Sequence, residues 1–253
     1  MHVLISNDDG VDAEGLKRLY EALREARPDW RVTVVAPDSE RSAASHALTL
    51  TQPLRIMERG DDIYAVTGTP TDSVLVALNV ILAEDKPDVV LSGINHGPNM
   101  GEDVHYSGTV AAAFEGQILG LPAVALSLAS REIPLRFAAA AHFVGQVLPA
   151  WLEKGLDPGL LLNVNIPAGD PEDVKGIRTC RLGSRTYTDV VIRKEDPRGR
   201  AYYWIAGHQQ SATDIPGTDL VLSAEGWTTV TPLLVDITDT RRLSELKDLE
   251  RTW

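Results

Sequence analysis

The first 23 residues constrain the fold of this chain more than any other stretch. Residues 2–6 form a short apolar run with the length of a buried strand. Asp8 and Asp9 follow it, and apolar residues then recur at helical spacing over residues 13–23. A strand, an acidic turn and a helix in this order predict an open α/β sheet, in which ligands bind beyond the carboxyl ends of the strands.

Asp8 and Asp9 have two interpretations. Adjacent carboxylates repel each other unless a cation or a proton relieves the repulsion, so the pair is a candidate metal site. The alternative is that one of them caps the following helix or forms an Asx turn, as short polar residues before helices commonly do. This stretch alone leaves both interpretations open.

Length and charge limit the classes of function. A chain of 253 residues is long enough to bury a large core, as one α/β domain or two smaller ones. Its 24 Lys and Arg against 36 Asp and Glu leave a net charge of −12, which disfavours a nucleic acid polymer as partner but permits small anions at a locally positive site. No apolar run reaches membrane-spanning length and the first strand begins at the N-terminus, so we expect a cytoplasmic protein that does not contact membranes.

Strands and helices alternate along the first two thirds of the chain. After the first strand, the predicted strands are 31–37, 63–66, 87–94, 121–128 and, as the last core strand, 160–167. The predicted helices are 73–83, capped by Thr71 or Asp72, a small-residue helix that begins at 110, and 135–151. Strand–helix–strand units of this length predict parallel pairing.

The alternation stops after residue 167. Short β-like runs at 190–192 and 202–205 are separated by charged turns, a further strand is predicted within 227–233, and a helix over 240–251. Because exposed strand edges need a partner, we expect the region after Ile177 to contact a second subunit. Its aromatic residues 202–204 are more typical of a core or interface strand than of a stack on a base.

Four polar side chains follow three of the predicted strands. Asp8 and Asp9 follow the first strand, Ser39 follows the strand 31–37, and Asn95 follows the strand 87–94. If these strands are neighbours in one parallel sheet, the four side chains meet at one edge. Two carboxylates, a hydroxyl and an amide oxygen form an all-oxygen set, which suits Mg²⁺, Mn²⁺ or Ca²⁺ and leaves coordination positions for water and substrate.

The loop after Asn95 contains a candidate anion site. Ser107, Gly108 and Thr109 stand at the start of the small-residue helix, where unpaired N–H groups and the positive end of the helix dipole face any anion. Ser107 or Thr109 could equally be a plain helix cap, and Asn99 could bind phosphate or only stabilise a turn. A phosphate between the metal and this helix would make metal-assisted phosphoester hydrolysis the reaction class.

Several motifs in the same order resemble the SurE (survival protein E) nucleotidases, from Met1 to about Pro232. They are residues 6–10, 36–37 with Ser39, 41–42, 68–70 with Asp72, 92–95 with Gly97 and Asn99, 106–110, 163–167 and 225–226. The resemblance implies a Rossmann-like three-layer α/β core with a mostly parallel sheet over 1–176. It also implies a β-rich extension over 177–253, part of the same domain, that forms homodimers or homotetramers.

The resemblance further implies a reaction and residue roles. The substrates would be nucleoside 5′- and 3′-monophosphates, hydrolysed with one divalent ion per subunit, Mg²⁺ or Mn²⁺. By matching motif, the catalytic residues would be Asp8 and Asp9, and the metal ligands Asp8, Asp9, Ser39 and Asn95. The phosphate would contact Ser107, Gly108 and Thr109, with Asn99 as a further candidate. Departures from the family pattern are Thr71, Ser73 and Met100, and the stretch 183–210 matches weakly.

Three other functions fit parts of the pattern. A broader phosphatase would also trim the ends of polyphosphate. A regulatory module would bind a metal and a nucleotide without hydrolysis. A glycosyltransferase-like enzyme would use Asp8 and Asp9 on a metal but leaves residues 107–109 unexplained.

Overall fold

The structure, a computed structural model, describes residues 1–188, 191–205, 208–212 and 215–250, without the side chains of 186–188, 208–212 and Asp248. Predictions that fall on Val190, Ala206, Asp214 or Arg251 lie outside these residues. The strands are β1 (His2–Ser6), β2 (Arg31–Pro37), β3 (Ile56–Gly60), β4 (Ile63–Val66), β5 (Val89–Asn95), β6 (Ala123–Leu128), β7 (Leu161–Ile166), β8 (Ile177–Thr179), β9 (Arg185–Thr188), β10 (Val191–Glu195), β11 (Ala201–Ile205), β12 (His208–Ala212) and β13 (Thr228–Leu233).

Nine of these strands form one sheet, in the order β3-β4-β2-β1-β5-β6-β7-β13-β8. The central strands pair in parallel, whereas β3 pairs antiparallel with β4, and β13 antiparallel with β7. The predicted strands are confirmed, but β7 is not the last strand of the core, because β13 and β8 continue the sheet beyond it. Both come from the segment after residue 176, and the division at that residue stays a prediction.

Helices cover both faces of the sheet. The α-helices are α1 (Glu14–Ala26), α2 (Pro70–Val76), α3 (Gly108–Ile118), α4 (Ala138–His142), α5 (Leu148–Glu153) and α6 (Asp219–Ala224). Side chains of β1 alternate between the two faces, as the period of a strand requires. Val3 and Ile5 pack in one buried cluster with residues of α1, α4 and α5, and Leu4 packs in a second cluster with α2 and α3. The three-layer α/β core is therefore confirmed.

The turn after β1 is built by Asn7 rather than by the two aspartates. The Asn7 side chain donates to the Gly10 carbonyl at 2.9 Å and accepts from the Gly10 N–H at 3.2 Å. Helix α1 has Ala13 at its N-cap position, with no side-chain cap hydrogen bond. The capping interpretation of Asp8 and Asp9 was therefore wrong, and both carboxylates remain available to the site.

The cap predicted for the second helix was also wrong. Thr69 caps α2, and its hydroxyl accepts from the Asp72 N–H at 3.0 Å. The Asp72 carboxylate in turn accepts from the Thr69 N–H at 2.8 Å, which is the reciprocal capping box. The helix thus begins at Pro70, a residue preferred at the first helical position, and continues as a π-helical turn over Ala77–Ile81.

In the C-terminal part, β10 and β11 lie at the two predicted β-like runs, whereas the sequence patterns did not indicate β9, β12 or α6. Strands β10 and β11 form an antiparallel pair outside the main sheet, and so do β9 and β12. Helix α6 precedes β13, and Leu243–Leu249 is a 3₁₀-helix where an α-helix was predicted. Its three leucines are exposed, so no apolar packing stabilises a longer helix there. Among the described residues, no helix is long and apolar enough to cross a lipid bilayer.

Close packing brings α1 against the end of β5. A Cβ built on Gly15 would lie 1.9 Å from the carbonyl oxygen of Ile94, so only glycine allows this approach. Because β1 and β5 are also parallel neighbours, with Ser6 opposite Ser92, the acidic turn after β1 lies beside the end of β5. This arrangement positions the site.

Candidate functional site

A polar cavity of about 500 Å³ opens at the carboxyl ends of β1 and β5. Its lining residues are Asp8, Asp9, Glu40, Ser42, Ala43, Asn95, His96, Asn99, Asp103, Tyr106, Ser107 and Arg131. A larger cavity of about 790 Å³ lies next to it, and Ser107 is on the wall of both. The larger cavity is mostly apolar and contains neither aspartate, so we assign the chemistry to the smaller one.

Asp8 is held by the start of α3. Its side chain is buried, and its Oδ1 accepts a hydrogen bond from the Thr109 hydroxyl. A Cβ built on Gly108 would lie 2.7 Å from the Asp8 Cβ, so the helix start presses directly on this aspartate. Burial raises the pKa of Asp8 to about 6; the hydrogen bond from Thr109 opposes this shift, and the charge of Asp9 adds to it.

Asp9 is held by the end of β5. Its Oδ2 accepts from the backbone N–H of His96 at 3.1 Å, and its Oδ1 lies 3.6 Å from the His96 Nδ1. Burial raises the pKa of Asp9 to about 6 as well, against the His96 hydrogen bond and with a contribution from Glu40. A carboxylate has about four acceptor positions on its two oxygens, so both side chains can still bind a cation beside these donors.

The His96 side chain lies beside the Asp9 carboxylate as a neutral imidazole. The Gly15 N–H donates to the His96 Nε2 at 3.1 Å, so this nitrogen is an acceptor and the ring proton is assigned to Nδ1. Burial lowers the pKa of His96, although nearby carboxylates, Asp8 first among them, raise it. The imidazole therefore links α1 to the carboxylate without adding a full positive charge.

The other two predicted metal ligands, Asn95 and Ser39, differ in their position relative to the cavity: Asn95 lines it and Ser39 does not. The amide nitrogen of Asn95 donates to the Gly97 carbonyl at 2.8 Å, so its amide oxygen is the end that could bind a cation in the cavity. Ser39 is exposed, donates to Asp38 at 3.1 Å and does not line the cavity, although its backbone packs against Gly10. The structure thus brings Asp8, Asp9 and Asn95 together and leaves the Ser39 side chain outside.

The donor set fits a hard divalent cation. The described residues contain no group of three or more His, Cys, Asp or Glu that could hold a metal ion. An ion at this cavity would therefore take two carboxylate oxygens, an amide oxygen, and water or substrate. Two adjacent carboxylates with raised pKa values, one buried and one half-buried, are the groups that such an ion would stabilise in their charged form.

The three residues of the predicted anion site, Ser107, Gly108 and Thr109, have different roles in the structure. Ser107 is the N-cap of α3, where its hydroxyl accepts from the Val110 N–H at 3.0 Å, and it also lines the cavity. Thr109 is fully buried and uses its hydroxyl on Asp8. Ser107 is therefore both a cap and a cavity residue, while Thr109 and Gly108 position Asp8 instead of lining the cavity.

Asn99 is fixed by side chains from β6 and β7. Its amide nitrogen donates to the Ser127 hydroxyl at 2.8 Å, and its N–H donates to the Asn165 side chain at 2.8 Å. The side chains of Asn163 and Asn165 donate to its carbonyl oxygen at 2.8 and 3.0 Å. Asn99 therefore lies on the cavity wall in a rigid polar network, more constrained than the turn that the sequence suggested.

The loop after β2 closes one side of the cavity. The Arg41 N–H donates to the Asp8 carbonyl at 2.7 Å, and the Ser45 N–H donates to the Tyr106 carbonyl at 3.1 Å. These bonds bring Glu40, Ser42 and Ala43 to the cavity wall. The resemblance pointed to this loop through the motif residues Ser39 and 41–42.

The acidic loop residues tie the cavity to the C-terminal part. Glu102 accepts from the Arg185 N–H at 2.7 Å, and Asp103 pairs with the Arg185 guanidinium at 2.8 Å. Both acidic side chains of this loop are therefore bonded to Arg185 of the C-terminal part. Two further histidines of these loops, His46 and His105, line the larger cavity and not the smaller one. The His46 imidazole lies 2.8 Å from the Glu115 carboxylate.

The fold and this cavity define a class: an α/β protein with a polar cavity beyond the carboxyl ends of its parallel strands, where ligands bind in such folds. The family model for "Survival protein SurE" matches residues 3–189. The chain belongs to the SurE family, as its motifs indicated.

Similar proteins match this chain over nearly its whole length. The protein named 5'-nucleotidase SurE from Anaeromyxobacter dehalogenans is 49% identical, covering 100% of this chain and 96% of its own. The protein of the same name from Vibrio cholerae is 48% identical, covering 94% of this chain and 93% of its own. The crystal structure of the SurE protein from Aquifex aeolicus has 42% identity and a TM-score of 0.86, covering 99% of this chain and 100% of that one.

Proposed function

We propose that this protein is a divalent-metal-dependent phosphomonoesterase that hydrolyses nucleoside 5′-monophosphates, and also 3′-monophosphates, to nucleoside and phosphate. The observation that carries the proposal is the pair of adjacent carboxylates, buried Asp8 and half-buried Asp9, in one cavity with Asn95 and Ser107. The relatives named 5'-nucleotidase support the choice of a nucleotide as substrate.

The residues around the cavity have distinct tasks in this proposal. Asp8 and Asp9, with Asn95, would hold one Mg²⁺ or Mn²⁺ ion, which supplies Lewis-acid polarisation of the phosphoryl group when bound. Thr109 and the His96 N–H orient the two carboxylates, so little reorganisation is needed during the reaction. Ser107, at the positive end of the α3 dipole, and Asn99 would orient the phosphate.

Ser39 keeps a smaller role in this proposal. Its side chain does not line the cavity, so we propose that it would reach a bound ion only after a change of rotamer. Its exposed position permits such a change without loss of packing.

The test is phosphate release from a panel of nucleoside monophosphates and from short polyphosphate. The protein is first chelated, and Mg²⁺, Mn²⁺, Ca²⁺ or Zn²⁺ is then restored singly. Asp9→Asn should lower kcat by at least about 100-fold, since removed electrostatic stabilisers of a transition state have effects of this size. Asp12→Asn is the matched control, because Asp12 is exposed in the same loop and lines no part of the cavity.

The outcomes separate the alternatives. The proposal is supported if phosphate release from nucleotides requires a metal and is lost in Asp9→Asn. Faster release from polyphosphate would favour the broader phosphatase. Saturable nucleotide binding by the folded protein without release under any of the four metals would favour the regulatory module.

We also propose that the protein is a homodimer or homotetramer. The support is β11, an exposed strand on which Tyr202, Tyr203 and Trp204 are 42%, 62% and 61% accessible. Adjacent exposed aromatic side chains of this kind commonly lie in interfaces. Sedimentation at micromolar concentration tests this, and a monomer would refute it. A cytoplasmic location stays a prediction from the sequence.

A further inference from the structure

The charges around the cavity are unbalanced. Its lining includes the acidic residues Asp8, Asp9, Glu40 and Asp103. Asp103 is paired with Arg185, which does not line the cavity. A phosphate monoester carries up to two negative charges, so even with one divalent ion it would meet excess negative charge here. A positive side chain on the wall would relieve this repulsion.

Arg131 is the only Lys or Arg among the described residues that line the cavity. It lies three residues beyond the end of β6, so it projects from the same carboxyl edge as Asp8 and Asn95. No sequence motif pointed to it. It comes from a loop whose residues carry no recognisable pattern.

The Arg131 side chain lies across the loop that follows Asn95. A Cβ built on Gly97 would be 2.9 Å from the Arg131 Nε and 3.1 Å from its Cγ. The Gly97 carbonyl is the group that accepts from the Asn95 amide. The stem of Arg131 therefore passes directly over the segment that carries a proposed metal ligand.

The Arg131 guanidinium has no hydrogen-bond or ion-pair partner within the described part of the chain. Arg136, five residues further on, instead forms an ion pair with Asp170 at 2.6 Å. An exposed cation beside four carboxylate residues and without a protein partner is available for an incoming anion.

We infer that Arg131 binds the phosphoryl group of the substrate. The planar guanidinium donates two parallel N–H bonds to phosphate oxygens, a geometry that Lys does not reproduce. The inference rests on the proposed function, because it assigns a further residue to the same phosphate. Arg131 is exposed, so its substitution should leave the fold intact, and its effect should fall on phosphate affinity.

The experiment measures the Kd of inorganic phosphate in the presence of Mn²⁺ by calorimetry, and KM and kcat for a nucleoside monophosphate. Arg131→Gln should weaken phosphate binding and raise KM by about tenfold, the size of one charge-assisted hydrogen bond, with a smaller change in kcat. Arg131→Lys should keep part of the affinity. Arg136→Gln is the matched control, since it removes the same charge from the same region but outside the cavity, and its Kd should stay within about twofold of the wild type.

Two results would overturn the assignment. One is a phosphate Kd of Arg131→Gln equal to that of the wild type, or no phosphate binding by the wild type itself. The other is an equal loss in Arg136→Gln, which would indicate a general effect of surface charge. If the wild type binds phosphate but releases none from any nucleotide, the hydrolysis proposal fails, while the comparison of Kd values still decides the role of Arg131.

Discussion

Thr109 donates the hydrogen bond of its hydroxyl to the carboxylate of Asp8, a residue 101 positions away in the sequence. Both side chains are buried, Thr109 completely, so water cannot replace this bond. It joins the first turn of α3 to the acidic turn after β1. A residue that the sequence suggested as a phosphate contact is thus a residue that positions a proposed catalytic carboxylate.

Thr109→Val should shift the acidic limb of the pH profile of kcat/KM upward by about one unit. The hydrogen bond lowers the pKa of Asp8, and a bond to a charged group contributes roughly 1.5–3 kcal/mol, so its loss raises that pKa further. The profile between pH 5 and 9, measured at one fixed Mn²⁺ concentration below saturation, checks this expectation. Thr229→Val is the control, because Thr229 is also fully buried but its hydroxyl has no hydrogen-bond partner among the described residues. An unshifted profile in Thr109→Val would contradict the assigned role.

Gly108→Ala should disrupt the site while Gly145→Ala should not. A Cβ at Gly108 would meet the Asp8 Cβ at 2.7 Å and the Pro70 Cγ at 3.1 Å, so the aspartate or the helix start must move. Displacements of this kind lower kcat on the order of 100-fold. A Cβ at Gly145 meets nothing closer than 3.7 Å, and alanine in a helical segment stabilises by roughly 0.5–1 kcal/mol. Steady-state kinetics and thermal unfolding of both variants provide the comparison, and normal turnover in Gly108→Ala would rule out the close contact.

Asp8→Asn should stabilise the metal-free protein at pH 8. The pKa of Asp8 is raised from 3.8 to about 6 on folding, so the folded state binds the proton more tightly than the unfolded chain. The free energy of unfolding therefore falls as pH rises from about 4 to about 6 and stays lower above that range. Removing the charge should recover roughly 3 kcal/mol at pH 8 and close to nothing at pH 4. Urea unfolding in chelator at both pH values tests the prediction.

Asp72→Asn should change the free energy of unfolding in the opposite direction from Asp8→Asn. Burial acts to raise the pKa of Asp72, but hydrogen bonds from Thr49 and Thr69 outweigh it and lower the pKa. This carboxylate therefore stabilises the fold above its ordinary pKa, and its replacement should destabilise the protein at pH 8 by roughly 1 kcal/mol, as expected for a lost capping interaction. Equal shifts in both variants would mean that burial of charge does not explain the effect at Asp8.

Mn²⁺ should raise the melting temperature of the wild type and leave that of Asp8→Asn unchanged. A ligand that binds only the folded state adds about 2.7 kcal/mol when its concentration is 100 times Kd. Because the carboxylates must be ionised to bind the ion and their pKa values are about 6, the apparent Mn²⁺ affinity should fall as the pH drops below that value. Thermal melts across a Mn²⁺ titration at pH 5.5 and 7.5 measure both effects. A similar shift in Asp8→Asn would place the ion elsewhere.

The sheet was largely predictable because its central strands are buried on both faces. Such strands are continuous apolar runs with many β-branched residues, and β1 and β2 lie where those runs predicted them. Strands β3 and β8 were missed, since they lie at the edges of the sheet and carry exposed, mixed side chains. Their pairing depends on neighbouring strands and not on a local pattern.

The sequence predicted those features of the site that depend only on the direction of the strands in the sheet. Asp8, Asp9, Asn95 and Ser107 line one cavity because the carboxyl ends of parallel neighbours share an edge. The hydrogen bonds of Thr109 to Asp8 and of Gly15 to His96 were not predictable, since they join segments whose contact depends on how helices pack on the sheet.

The sequence by itself determined the alternation of strand and helix, the parallel core and the polar residues that end its strands, because these follow from local hydrophobic period and from a few ordered motifs. The tertiary structure decided which polar side chains enter the cavity. It left the Ser39 side chain outside the cavity, bonded Thr109 to Asp8, and placed Arg131 on the wall of the same cavity as the carboxylates. Side-chain direction and long-range contact depend on close packing of distant segments, and no local pattern of residues encodes that packing.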